Sequence, residues 1–120
     1  VQASCREKGW IKGLDGRKVY TRAAHAALNT LLQSAGGLAM KKALSILDMH
    51  LQLEAGFIPG RDYEFVLNVH DEWQIECLPE LAETIGGCAV EAIRMAGEHF
   101  GFRCPLDGQF QIGTTWAETH

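Results

Sequence analysis

Val69-His70-Asp71-Glu72-Trp73 sets two adjacent carboxylates between apolar runs. No Lys or Arg lies within five residues of either. Their negative charge therefore has no partner nearby in sequence, and a cation is its natural relief. Carboxylate oxygens on a rigid turn suit Mg²⁺. That ion keeps several waters and takes one or two protein carboxylates, with substrate phosphate supplying the rest. An Asp-Glu pair at a turn is also commonly just solvated, and the pentapeptide alone does not decide between the two. A second set is His25, Asn29 and Gln33, spaced by four and four. That spacing puts all three on one stripe of a helix. Asn and Gln both donate and accept hydrogen bonds. They can read base edges or sugars, and the minor groove offers acceptors at every base pair. A solvated helix face carries the same pattern.

The elements that must position these groups follow from periodicity. Residues 10–22 read as a short hairpin turning at Asp15-Gly16, with basic side chains on both arms. Residues 23–55 read as helical, because Leu28, Leu31, Leu32 and Ala35, then Leu44, Leu47 and Leu51, recur at three- and four-residue spacing. Gly36-Gly37 interrupts that run, each glycine costing about 1 kcal/mol relative to alanine. A break is expected there, with a stop at Gly56 and a loop through Pro59-Gly60. Tyr63, Phe65, Leu67 and Val69 alternate with Glu64, Val66 and Asn68, and Trp73, Ile75 and Cys77 alternate with Gln74 and Glu76, so two strands over 63–77 flank a turn at His70-Asp71-Glu72. Pro79 opens a helix over 79–100 with Leu81, Ile85, Ala89, Ile93 and Phe100 as its buried stripe. Phe110 to Ile112 reads as a last short strand, and Trp116 is expected to pack near the C-terminus. The fold class is thus α/β (α+β).

Composition bounds the rest. At 120 residues, 47% hydrophobic and 22% charged, the chain reads as one soluble globular domain. Disorder, collagen-like repeats and a disulfide-dependent miniprotein are excluded. No apolar run approaches the roughly 20 residues of a membrane span. The polar start argues against a secretory signal, and the missing initiator Met suggests that Val1 is the cut edge of a longer chain. Charge is uneven. Eight basic residues stand against two acidic ones up to Lys42, and three against thirteen after it. Such asymmetry suits a polyanion on one face and a metal on another, although a chance cluster of solvated charges looks alike. Cys5, Cys77, Cys88 and Cys104 form no zinc-binding spacing and read as reduced, mostly buried thiols.

Three motifs in order are more specific than any one. Gly-Leu-Asp-Gly-Arg-Lys-Val, then His-Ala-Ala-Leu-Asn-Thr-Leu-Leu-Gln-Ser-Ala-Gly, then Val-His-Asp-Glu-Trp-Gln-Ile-Glu resembles the C-terminal end of an A-family (DNA polymerase I family) DNA polymerase. Asn-Thr-Leu-Leu-Gln-Ser-Ala-Gly and the ending Gly-Thr-Thr-Trp-Ala-Glu-Thr-His are similar to the bacteriophage replicative branch. The resemblance runs from Gly9 to the end. It implies a partial polymerase palm: a basic hairpin, a long broken helix, an antiparallel hairpin carrying His-Asp-Glu at its turn, a packed C-terminal helix and a short last strand.

The same likeness implies roles. Asp71 would bind two catalytic Mg²⁺ ions, Glu72 would support them, and His70 would approach the primer's 3′-terminal sugar-phosphate. Asn29 and Gln33 would touch the minor groove at and beside the nascent base pair. His25 stands where many relatives carry Arg. Arg17 and Arg22 would contact the DNA backbone. The implied chemistry is two-metal nucleotidyl transfer, with primer-template DNA and deoxynucleoside triphosphates as partners. The remainder of the polymerase (upstream palm, fingers and thumb) would complete the enzyme, in the same or another chain. The family's upstream Asp-Tyr-Ser-type motif and its fingers helix are missing from these residues, so the segment is expected to be inactive alone. No membrane partner is expected, and the location implied is cytoplasm, the host's if the chain is phage-encoded. Two other readings stay open: a non-catalytic DNA-binding or assembly module of the same fold, and an unrelated Mg-dependent nuclease recruiting Glu64 or Glu76.

Overall fold

Alternation builds the first hairpin. In the computed structural model, which describes residues 6–69 and 71–119, strands β1 (Trp10–Lys12) and β2 (Lys18–Tyr20) pair antiparallel, with Ile11 opposite Val19. The Gly16 amide donates to the Gly13 carbonyl at 3.0 Å, and the Gly13 amide to the Arg17 carbonyl at 2.8 Å. Gly16 sits at φ +88, a left-handed conformation that glycine adopts without a Cβ clash. The expected turn at Asp15-Gly16 is therefore a tight turn closed by one left-handed residue.

After a short 3₁₀ turn at Ala24–Ala26, helix α1 runs unbroken over Ala27–Met49. The break expected at Gly36-Gly37 does not occur. Both glycines keep helical backbone and face solvent, and a Cβ at either would meet nothing within 4 Å. Their propensity cost lowers helix stability without forcing a kink, because the apolar positions around them stay in phase. The helix departs from α geometry only at its end. His50–Glu54 forms a π-helical turn, with the Ala55 amide donating to the His50 carbonyl at 3.0 Å. Gly56 at φ +72 then stops it, and the Phe57 amide reaches back to Leu51 at 2.8 Å.

Strands β3 (Tyr63–Val69) and β4 (Glu72–Cys77) form a second antiparallel hairpin. Pro79–Leu81 makes a 3₁₀ entry to helix α2 (Ala82–His99), which Gly101 ends at φ +70. The deepest residues of α2 are Ile85, Gly86, Ala92, Ala96 and Gly97. Of the expected stripe, Ile85 is among them, while Leu81, Ala89, Ile93 and Phe100 are half-buried. Residues 110–112 are not a strand. The Phe110 ring lies over Gly86, where a Cβ would clash with it, and Leu106 covers Gly97 in the same way. The tail thus packs by inserting side chains onto small residues of α2. Trp116, expected to pack near the C-terminus, is 60% exposed.

The chain divides into two compact units, residues 1–39 and 40–120. In the first, Ile11 and Ala27 form a small core with Val19, Ala24 and Leu31 against it. In the second, Leu47, Leu51, Tyr63, Ile85 and Ala92 form the main core, flanked by Phe65, Trp73, Ile75 and Cys77. Cys77 and Cys88 are half-buried and unbridged, as expected, whereas Cys104 is exposed because it lies in the irregular tail. No helix among the described residues is long and apolar enough to cross a membrane.

Candidate active site

The base of the β3–β4 hairpin is fastened before its tip. Tyr63 is 2% exposed, and its hydroxyl donates to Asp48 Oδ1 at 2.6 Å. Its ring meets Phe65 edge-on, with centroids 5.6 Å apart. Desolvation, with Asp48 beside it, pushes the Tyr63 hydroxyl up to about 12. Asp62, 7% exposed, accepts from the Ile58 amide at 2.7 Å and from the Arg61 guanidinium at 3.1 Å. The Arg61 hydrogen bonds, then the Ile58 amide, hold its carboxyl below the usual range. The Leu78 amide closes the frame by donating to the Asp62 carbonyl at 3.0 Å.

From this base the two strands climb to the tip. Phe65 pairs with Ile75, but Leu67 pairs with Gln74, so Val66 is an extra, unopposed residue on β3. This bulge turns the strand over. Trp73, Ile75 and Cys77 flank the core, so Glu72, Gln74 and Glu76 share the opposite face. Beyond the bulge, Leu67 and Val69 join that outer face, opposite Gln74 and Glu72. The sequence had put Leu67 and Val69 with Tyr63 and Phe65. The register shift corrects this, and Leu67 is 45% exposed.

Val69 pairs with Glu72 across the tip. Glu72 is thus the first residue of β4 rather than part of the turn. It is half-buried, and the Gln74 amide donates to its Oε2 at 3.0 Å. Asp71 is exposed at the tip, and no hydrogen bond or ion pair reaches its carboxylate from the described residues. His70 lies outside the described residues. Just below the tip, the indole N–H of Trp73 is buried without an acceptor among the described residues.

The arrangement offers an open carboxylate at the tip of a hairpin fastened at its base, beside a second one whose orientation is fixed by a hydrogen bond. That donor set fits an ion that takes one or two protein carboxylates and completes its shell elsewhere. It does not amount to a full cage. No group of three or more His, Cys, Asp or Glu able to hold a metal occurs among the described residues. Glu64 and Glu76 face each other at the other end of the hairpin, with Glu76 about 13 Å along the strand from Glu72. They do not converge on Asp71, and the carboxylate cluster needed by the nuclease reading is not assembled here.

The remaining predicted residues lie in the first unit. His25 is exposed on the 3₁₀ turn, and Asn29 and Gln33 are exposed one and two turns into α1. Neither amide has a hydrogen-bond partner among the described residues. Leu28 and Leu32, 54% and 62% exposed, flank them. Arg22 is exposed. Arg17 is ion-paired with Asp15, whose carboxyl is held low by the Arg17 amide and guanidinium. The structure therefore joins Asp71 to Glu72, and His25 to Asn29 and Gln33. Sequence reasoning did not single out the outer face of the first hairpin, where Trp10, Lys12, Lys18 and Tyr20 gather. The alternation Trp-Ile-Lys and Lys-Val-Tyr was its available signal.

No protein-family model matches the chain. Individual relatives do. The chain is 47% identical over 117 residues to the DNA-directed DNA polymerase of Enterobacteria phage T3, covering 95% of this chain and 16% of the relative. The polymerase of Escherichia phage T7 is 46% identical over 117 residues, with the same coverage. DNA polymerase I of Aquifex aeolicus is 29% identical over 120 residues, covering 98% of this chain and 20% of that one. The chain thus spans about a sixth of the length of the phage relatives it matches. Among solved structures, the POL domain of Pol1 from M. smegmatis, in complex with DNA primer-template and dNTP, superposes with a TM-score of 0.66 at 24% identity. That match covers 80% of this chain and 18% of the other, and it carries the fold. Along nearly its whole length, then, the chain is similar to a segment of phage DNA-directed DNA polymerases and of bacterial DNA polymerase I.

Proposed function

We propose that this segment supplies part of the active site of a DNA-directed DNA polymerase, inactive without the rest of the enzyme. One observation carries the reading. Asp71, at the tip of a hairpin fastened at its base, has no protein partner among the described residues, in a chain nearly half identical to phage polymerases. A carboxylate kept free at a rigid tip is pre-arranged for a cation at no reorganisation cost.

In this reading Asp71 anchors Mg²⁺, and Glu72, restrained by Gln74, supports it from the strand. Two such ions, when bound, would lower the pKa of a primer 3′-hydroxyl and steady the leaving pyrophosphate. Asn29 and Gln33, with exposed amides, read the minor groove of primer-template DNA. His25 begins that stripe, Arg22 contacts the DNA backbone, and Arg17 does so once released from Asp15. His70 meets the primer end. Deoxynucleoside triphosphates are the co-substrates, and the further carboxylates come from the remainder of the polymerase. Host cytoplasm is the proposed location.

The test is Mg²⁺-dependent incorporation by a complete polymerase carrying this segment, with Asp71→Asn, Glu72→Gln and His70→Ala compared. Loss with Asp71→Asn, a partial loss with Glu72→Gln and weaker use of the primer end with His70→Ala are expected. Equal activity of all three contradicts the reading.

A further inference from the structure

We propose that the outer face of the β1–β2 hairpin binds single-stranded DNA. The antiparallel register sets Trp10 opposite Tyr20 and Lys12 opposite Lys18. These four share the face turned away from Ile11 and Val19, which pack inward on Ala27. Tyr20 is 73% exposed. The ammonium groups of Lys8 and Lys18 each lie 4.9 Å from the centre of the Trp10 ring, within the range of cation–π attraction. Trp10 thus gathers two cations, and Lys12 adds a third directly across from Lys18. Like charges opposite each other on a sheet are destabilising. The hairpin's acidic residue, Asp15, is committed to Arg17. A face that collects ammonium groups, none of them ion-paired among the described residues, is complementary to a polyanion.

The aromatic rings narrow the choice of polyanion. An exposed ring beside lysines is the arrangement by which proteins hold single strands, with bases on the ring and phosphates on the cations. A duplex keeps its bases within its own stack and offers the ring nothing to stack on. Tyr20 is the base platform, Lys12 and Lys18 take phosphates, and Trp10 positions Lys8 and Lys18. The inference rests on the reading above only in taking DNA as the nucleic acid. An unpaired template strand is the species of that chemistry.

The test is fluorescence anisotropy of labelled oligothymidylate with the full chain, in EDTA, across 50–200 mM salt. Tyr20→Ala is expected to weaken binding about tenfold at every salt concentration, with the salt slope unchanged, while Tyr20→Phe binds normally. The Lys12→Gln, Lys18→Gln pair is expected to flatten the slope by about 1.4, at roughly 0.7 per phosphate on a single strand, and Lys18→Arg alone keeps it. Full affinity in Tyr20→Ala, an unchanged slope in the lysine pair, or equal losses on a blunt duplex overturns the proposal. The assay involves no metal and no incorporation. Oligothymidylate binding that depends on Tyr20, alongside an inert polymerase, would retire the polymerase reading and keep this one. Incorporation with full Tyr20→Ala affinity would do the reverse.

Discussion

Each of the two hairpins carries an aspartate at its tip, and the two aspartates are used differently. Asp15 accepts from the Arg17 amide at 3.1 Å and pairs with the Arg17 guanidinium. Asp71 has neither kind of partner among the described residues. The difference comes from what stands two residues on: Arg17 in one tip, Trp73 in the other. A carboxylate answered by a neighbouring cation is a structural brace, with its proton affinity lowered to match. A carboxylate with no Lys or Arg within five residues has charge left for something outside the protein. The same residue type, in the same place on the same motif, is a staple in one unit and a candidate ligand in the other.

The largest expected effect breaks that contrast at its active end. Asp71→Asn should abolish incorporation in the complete polymerase, because a metal anchor is lost. It should leave the melting temperature of the fold unchanged or slightly raised, since no contact to its carboxylate from the described residues goes with it. Helical glycines extend the comparison, again setting one residue type in two surroundings. Gly86→Ala should cost about 1–3 kcal/mol by denaturant unfolding, because the Phe110 ring occupies the new methyl's place. Asn29→Ala and Gln33→Ala should each weaken primer-template binding by about 0.5–1.5 kcal/mol while leaving the fold intact. Gly36→Ala and Gly37→Ala meet open space and should stabilise the chain by about 0.4–1 kcal/mol each. Asp15→Asn should lower the melting temperature slightly at neutral pH and not at all in acid. Its depressed carboxyl contributes stability above the unfolded value, and that stability is lost as pH falls through the folded one.

Those contrasts mark what could be read in the sequence. Strand β3 was legible to the residue, because alternation from Tyr63 to Val69 runs between clear turn signals. Gly56 was legible as a stop because only a left-handed residue closes that turn. The continuity of α1 through Gly36-Gly37 was not, since propensity is a weak force against a phased apolar pattern. The bulge at Val66 was hidden because pairing register is a property of two strands, and alternation describes one. Residues 110–112 alternate like a strand but pair with none. Phe110 instead covers a glycine that only the folded α2 presents. At the site, the place of Asp71 at the tip could be read from the alternating runs on either side of it. The strand position of Glu72 could not, because the length of a turn depends on which residues pair across it.

The claim that Asp71 is held free for a metal is tested most directly by paired measurements on Asp71→Asn and Asp15→Asn in the complete polymerase. Primer-template affinity and single-nucleotide incorporation at saturating Mg²⁺ are measured for both. Asp71→Asn should bind DNA as the parent does and fail to extend it, whereas Asp15→Asn should bind and extend. An Asp71→Asn enzyme that extends primers at a near-normal rate would contradict the metal assignment and, with it, the polymerase role proposed for this tip.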